Sequence, residues 1–289
     1  MRLLKNTTGE TAGLEACDMK MRLIAAVVLL PLLLIVLLVL PKIFTVILMG
    51  ALSAIASFEL LRGTGLVPEL RLNIYTAIMA FLVSMWGYFD MNYPAALLGV
   101  VAFTGLLFSE LLISHAKLEF RKITVCLAGG LLIPFLLSSI ARIRMSYSGA
   151  FFVLLPFLIA FMSDSGAYFA GRFLGKHKLA PSISPNKTVE GVIGGVVSAV
   201  IGMQIFCVIL DLGFHFEVSY LNALAYGIFG SLVGVFGDLS FSAIKRQVGI
   251  KDYGNLIPGH GGIMDRFDSM LFVAPVTEAL LLLLPVAVR

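Results

Sequence analysis

Two carboxylates three residues apart, Asp265 and Asp268, follow the turn Pro258-Gly259-His260-Gly261-Gly262, which itself follows Lys245-Arg246 and Lys251-Asp252. On a helix such a spacing shares one face, so both negative charges aim at one place while Arg266 points away. Like charges so placed repel unless a cation sits between them. Hard carboxylate oxygens suit Mg²⁺, which takes one or two carboxylates and completes its shell with water and phosphate. Gly259, Gly261 and Gly262 can turn backbone N–H groups toward an anion where a helix begins, and His260 between them can donate to a phosphate oxygen. Lys245, Arg246 and Lys251 supply positive charge to the same segment. Each feature also has a plainer use: an acid in a first helical turn, loop glycines, a turn histidine, and basic residues that orient a chain in a membrane.

A second polar segment runs from Asp164 to Gly195. Asp164 lies inside an apolar run, eight residues from Arg172. A buried unpaired carboxylate is costly, so it must meet a metal, a base from another helix, or a proton. Ser184-Pro185-Asn186-Lys187-Thr188 opens the next apolar run. Hydroxyls, an amide and a lysine at a helix N-terminus form a phosphate cradle, and Ser184, Asn186 or Thr188 serves equally as a helix cap. Asp238, where the other polar segment starts, is a third candidate carboxylate. Gly171 to Lys176 is one residue too short for a phosphate-binding loop of the G-x-x-x-x-G-K-[ST] kind and lacks its hydroxyl.

The elements that must position these groups are membrane helices. Of 289 residues 59% are hydrophobic and 13% charged, and mean hydropathy is +1.00. A soluble surface needs about twice that charge, and a disordered chain needs far fewer apolar residues. Cys17, Cys126 and Cys207 lie far apart, which excludes a disulfide framework and a structural zinc site. Nine stretches approach the ~20 apolar residues of a bilayer crossing. They run approximately over Leu23–Leu40, Ile43–Leu61, Ile74–Phe89, Tyr93–Ile113, Ile123–Ile140, Ala150–Ala170, Val189–Leu210, Leu221–Phe236 and Ser269–Val288. The reading is an all-α integral membrane protein of about nine transmembrane helices. Residues 1–22 form a tail, 23–149 hold about five helices, and 150–289 hold about four, with the two long polar loops.

With alternate loops assigned to one side, that side holds 17 of the 21 Lys+Arg and the other side 4. By the positive-inside rule the N-terminus is cytoplasmic and both polar segments lie at the cytoplasmic membrane face. The basic excess therefore reflects topology, and nucleic acid is not an expected partner. Glu110 and Glu278 are expected to face the bundle interior. Gly191, Gly194 and Gly195, with Gly230, Gly234 and Gly237, mark close helix contacts.

The residues from Ser242 through Lys245-Arg246, Lys251-Asp252, Pro258-Gly259-His260-Gly261-Gly262 and Asp265-Arg266 to Asp268 resemble the signature of the phosphatidate cytidylyltransferases, also called CDP-diacylglycerol synthases. Asp164, Ala167-Tyr168, Gly171, Gly175, Ser184-Pro185, Lys187-Thr188 and Glu190-Gly191 also look like that family. The resemblance implies the reaction of CTP with phosphatidic acid to give CDP-diacylglycerol and pyrophosphate. It implies a multi-pass homodimer in the cell inner (plasma) membrane that uses Mg²⁺, with K⁺ as a second cation. Residue by residue, Asp265, Asp268, Asp238 and Asp164 are the expected metal ligands. Lys245, Arg246 and His260 join the first two in catalysis, and Ser184, Lys187, Thr188, Arg172, Lys251, Gly259, Gly261 and Gly262 bind substrate. Two readings compete: a secondary transporter with an ion-coupled anion site, and a nucleotidyltransferase or lipid kinase acting on another lipid. No repeat relates the two halves of the chain, and the polar residues gather on one face, which counts against the transporter.

Overall fold

A computed structural model of the protein describes residues 27–88, 93–114, 118–146, 148–256 and 261–288. The polar tail expected at residues 1–22, the turn residues His260 and Gly259, and the start of the first expected span lie outside the described residues. The elements in order are α1 (Val27–Val39), α2 (Lys42–Gly63), α3 (Leu70–Met85), α4 (Tyr93–Ile113), α5 (Phe120–Met145), α6 (Gly149–Leu174), α7 (Val189–Phe214), α8 (Tyr220–Gln247), the single turn α9 (Met264–Phe267) and α10 (Met270–Leu283). Six of them, α2 and α4 to α8, are long and apolar enough to cross a membrane. The chain is accordingly an all-helical membrane protein in its main features. Bare backbone in hydrocarbon must satisfy its own hydrogen bonds, and helices do so within one segment.

The helices are interrupted where the sequence asks for it. Pro41, which has no N–H to donate, separates α1 from α2. In α5 a wide turn at Ala128–Leu132 contains Gly129 and Gly130, and Ser57 donates to the Gly129 carbonyl at 2.5 Å. A widened helical turn is the usual form such a local insertion takes. The Arg144 guanidinium donates to the Leu37 carbonyl at 2.6 Å, satisfying an acceptor in the wide turn that ends α1.

Arg142 is also folded inward. It clasps both oxygens of Glu278 at 2.7 Å, donates to Ser138, Ser139 and the Phe135 carbonyl, and lies over the Phe135 ring. Glu278 thus faces the bundle interior as expected, and Arg142, near the end of α5, is a packing residue. Glu110 meets Arg71 at 3.5 Å.

Two expectations are corrected. The last apolar run is not one helix to Val288: α10 ends at Leu283, and Ala287–Val288 pairs as a short antiparallel strand with Glu217–Val218, between α7 and α8. Ser184–Thr188 does not begin a helix. It is a strand, β2, paired antiparallel with β1 (Lys178–Ala180). Only Thr188 caps α7, its hydroxyl accepting from Gly191 N at 3.1 Å. Pro185 favours extended backbone at the residue before it, Ser184, which suits a strand better than a helical turn.

Among the described residues the helix pair α6–α7 makes the most extensive contact. Where they cross, a Cβ on Gly194 would lie 2.2 Å from the Ala170 Cβ, and one on Gly166 would lie 2.1 Å from Ser198 Oγ. Small residues let membrane helices approach without a hydrophobic driving force.

Candidate active site

The tight α6–α7 contact, the β1–β2 hairpin and α8 enclose a cavity of about 570 Å³. Its wall includes Asp164 and Arg172 from α6, Lys187 and Thr188 from the hairpin, and Asp238 from α8. Lys187 Nζ lies 2.5 Å from Asp238 Oδ2, and Ser242 donates to Asp238 Oδ1 at 3.1 Å. The cation that Asp164 lacks within a turn of its own helix comes from the hairpin: Lys187 interacts with Asp164 as well as Asp238. Arg172 is exposed and hydrogen-bonds the Tyr168 hydroxyl at 2.7 Å.

The carboxylates of the Asp265 and Asp268 pair have different surroundings. Asp265 is buried. Its Oδ1 accepts from Lys245 Nζ at 2.8 Å, and its Oδ2 accepts from Tyr253 N at 2.8 Å and Gly262 N at 3.1 Å. Lys245 also lies 5.4 Å from the Tyr253 ring centre. A carboxylate offers about four lone-pair directions, so three are taken, one by α8 and two by the loop. Asp268 has far fewer partners: Ser269 N donates to its Oδ1 at 2.7 Å. Burial, and then the nearby charge of Asp238, push the Asp268 carboxyl up to about 7, against the opposing pull of the Ser269 N–H, Lys245 and Lys187. Asp268 therefore stands electrostatically between the Lys245–Asp265 pair and the cavity. Gly237 makes this possible, since a Cβ there would lie 2.8 Å from the Asp268 carbonyl.

The other candidates fall as follows. Arg246 reaches back to the hairpin and donates to the Ile183 carbonyl at 3.2 Å. Gly261 adopts φ 83°, a left-handed conformation natural to glycine, and Gly262 is buried against Asp265. Lys251 is exposed and Ser184 sits in the hairpin opposite Ala180; neither lines the cavity. Among the described residues no three Asp, Glu, His or Cys side chains converge as a closed metal cage requires. Hard oxygen donors with one or two carboxylates per ion suit Mg²⁺ completed by phosphate, not a fully protein-ligated site. Sequence reasoning passed over Glu59 on α2, whose carboxylate accepts from Met264 N at 2.8 Å across 205 positions. An acid at the end of an apolar span was the only trace of it. Glu190, which the sequence placed in the first polar segment, accepts from Lys176 N and His177 N and contacts His177 Nδ1 at 2.6 Å, tying the hairpin to α7.

Helices that cross a membrane, with carboxylates and cations from separate elements gathered beside a cavity, define a membrane protein built to handle anionic, phosphate-like groups. The sequence pattern of the cytidylyltransferase family matches residues 20–284, and the chain belongs to that family. It is similar to the phosphatidate cytidylyltransferase of Bacillus subtilis (strain 168), 35% identical over 271 residues, which cover 92% of this chain and 98% of that protein. It is also similar to the enzyme of that name from Staphylococcus saprophyticus, 37% identical over 191 residues, covering 63% and 68% of the two chains. A Staphylococcus aureus (strain COL) relative of the same name is 45% identical over 134 residues, 46% of this chain and 50% of its own.

Proposed function

We propose that the protein transfers the cytidylyl group of CTP to phosphatidic acid, giving CDP-diacylglycerol and pyrophosphate, as a step of phospholipid biosynthesis. The observation that carries the reading is the meeting of Asp164, Lys187 and Asp238, from three separate elements, in one cavity beside Asp268 in a chain of the cytidylyltransferase family. A phosphate oxygen of phosphatidic acid attacks the α-phosphorus of CTP. The new P–O bond forms as the bond to the β-phosphate oxygen breaks, and pyrophosphate leaves with the electron pair. The nucleophile is already an anion, so the protein's task is to bring anions together and neutralise developing charge.

Lys187, with Arg172 and the Thr188 hydroxyl, meets phosphate from the cavity side. Lys245, Arg246 and Lys251 serve the other side, with His260 and the glycines Gly259, Gly261 and Gly262, and Ser184 supports the hairpin wall. Asp268 and Asp238, with the remaining lone pair of Asp265 and with Asp164, would hold Mg²⁺; K⁺ is proposed as the second cation. Bound there, Mg²⁺ would neutralise phosphate charge in the transition state. The reading includes nine crossings, a homodimer, and a bacterial inner membrane with the site facing the cytoplasm, where CTP is dissolved and the 17 to 4 distribution of Lys+Arg points.

The test is purified protein in mixed micelles of detergent and phosphatidate with CTP labelled at the α-phosphate. Label entering the lipid, and its arrest by EDTA, are expected. Transfer of γ-label instead means a kinase, and nucleotide-independent anion flux in liposomes means a transporter.

A further inference from the structure

Glu59 lies in α2, in the part of the chain where sequence shows only hydropathy, yet its carboxylate is built into the loop that carries Asp265 and Asp268. The residue is 8% exposed. Its Oε2 accepts from Met264 N at 2.8 Å, and the Ile263 N–H is also directed at the carboxylate. Those are orphan donors of the one-turn helix α9, which is too short to stand by its own hydrogen bonds. The loop is moulded around this acid. A Cβ on Gly262 would lie 2.4 Å from Glu59 Oε2, and one on Gly254 would lie 2.5 Å from Oε1. Four residues along α2, a Cβ on Gly63 would lie 1.9 Å from the Tyr253 carbonyl. Tyr253 N and Gly262 N meanwhile donate to Asp265. Two carboxylates, one on α2 and one on α9, thus absorb the free N–H groups of residues 253 and 262–264 between them.

We propose that Glu59 is a positioning residue for the cytidylyl-transfer site: it caps α9 from a distant helix and so sets where Asp265 and Asp268 stand. The inference rests on the function proposed above. A carboxylate takes both N–H donors, whereas an amide offers one oxygen and turns N–H groups toward the other donor. Displacement of reacting groups by about 1 Å reduces rate about 100-fold, so Glu59→Gln is expected to lower kcat by one to two orders of magnitude, with KM for phosphatidate unchanged because α2 does not line the cavity.

The experiment pairs hydrogen exchange, read on peptides spanning 261–268, with steady-state cytidylyl transfer, for wild type, Glu59→Gln and Glu59→Asp. Protected Ile263 and Met264 amides in the wild type, faster exchange confined to that peptide in Glu59→Gln, and a kcat loss at unchanged KM support the proposal. Wild-type exchange and kcat in both variants overturn it, as do unprotected amides in the wild type. So does faster exchange throughout the chain with kcat per folded molecule preserved, which marks a merely structural residue. Absence of transfer by the wild-type protein refutes the function itself, and the exchange data still decide whether Glu59 caps α9.

Discussion

Replacing Asp265 and Asp268 one at a time separates two roles that look equal in sequence. The side chains of Lys245 and Asp265 are 11% and 3% exposed. Truncating one partner of a buried pair costs about 3–5 kcal/mol, because the other charge is left without compensation. Asp265→Ala also strips the acceptor from Tyr253 N and Gly262 N, and each orphaned donor adds about 1–3 kcal/mol, with incomplete additivity. The variant is therefore expected at the upper end of the pair range, a large fraction of a protein's net stability. Asp268→Asn behaves differently. Its oxygen can still accept from Ser269 N, and losing a charge beside Asp238 relieves repulsion, so stability stays within about 1 kcal/mol of wild type or rises slightly. Its activity should fall about 100-fold or more, as when charge stabilisation is removed from a transition state. Thermal unfolding in detergent is followed with a thiol-reactive dye reporting exposure of the buried Cys126 and Cys207, in a Cys17→Ser background, beside the label-transfer assay. Unfolding of Asp265→Ala at the wild-type midpoint, or equal destabilisation by Asp268→Asn, would refute the reasoning.

Lys187 is the cation shared by Asp238 and the cavity; Lys187→Ala is expected to cut transfer by about 100-fold, with Lys187→Arg retaining more activity, measured as kcat/KM for CTP. Gly194→Val places a branched side chain where even a Cβ would lie 2.2 Å from Ala170, so α6 and α7 must part. A loss of about 1–3 kcal/mol or more should appear as a lower unfolding midpoint. Glu278→Ala removes the carboxylate partner of the half-buried Arg142 guanidinium and should destabilise by about 1–3 kcal/mol, whereas the Arg142→Met/Glu278→Leu double variant should recover much of the loss. A double-mutant cycle on unfolding midpoints checks this, and additive losses would count against a coupled pair.

Hydropathy made the apolar helices legible because hydrocarbon imposes the same demand on any spanning segment, whatever surrounds it. The six long spans and the glycines of the α6–α7 contact follow from that demand and from local size. The polar segments were legible for a related reason: Asp164, Lys187, Asp238, Lys245, Asp265 and Asp268 are charges at the edges of apolar runs, where charge needs a purpose. Their residue types and spacing determined the expectation of a site that meets anions with carboxylates and cations. Pairing was decided by tertiary structure. Lys187 meets Asp238 and Lys245 meets Asp265 because α6, the hairpin, α8 and α9 converge. Arg142 meets Glu278, and Glu59 reaches Met264, over 136 and 205 positions. The strand at Ser184–Thr188 and the fold-back of Ala287–Val288 likewise depend on partners far along the chain or across a turn. An electrostatic interaction depends on distance and burial, and neither quantity exists for a residue until the helices carrying it are packed.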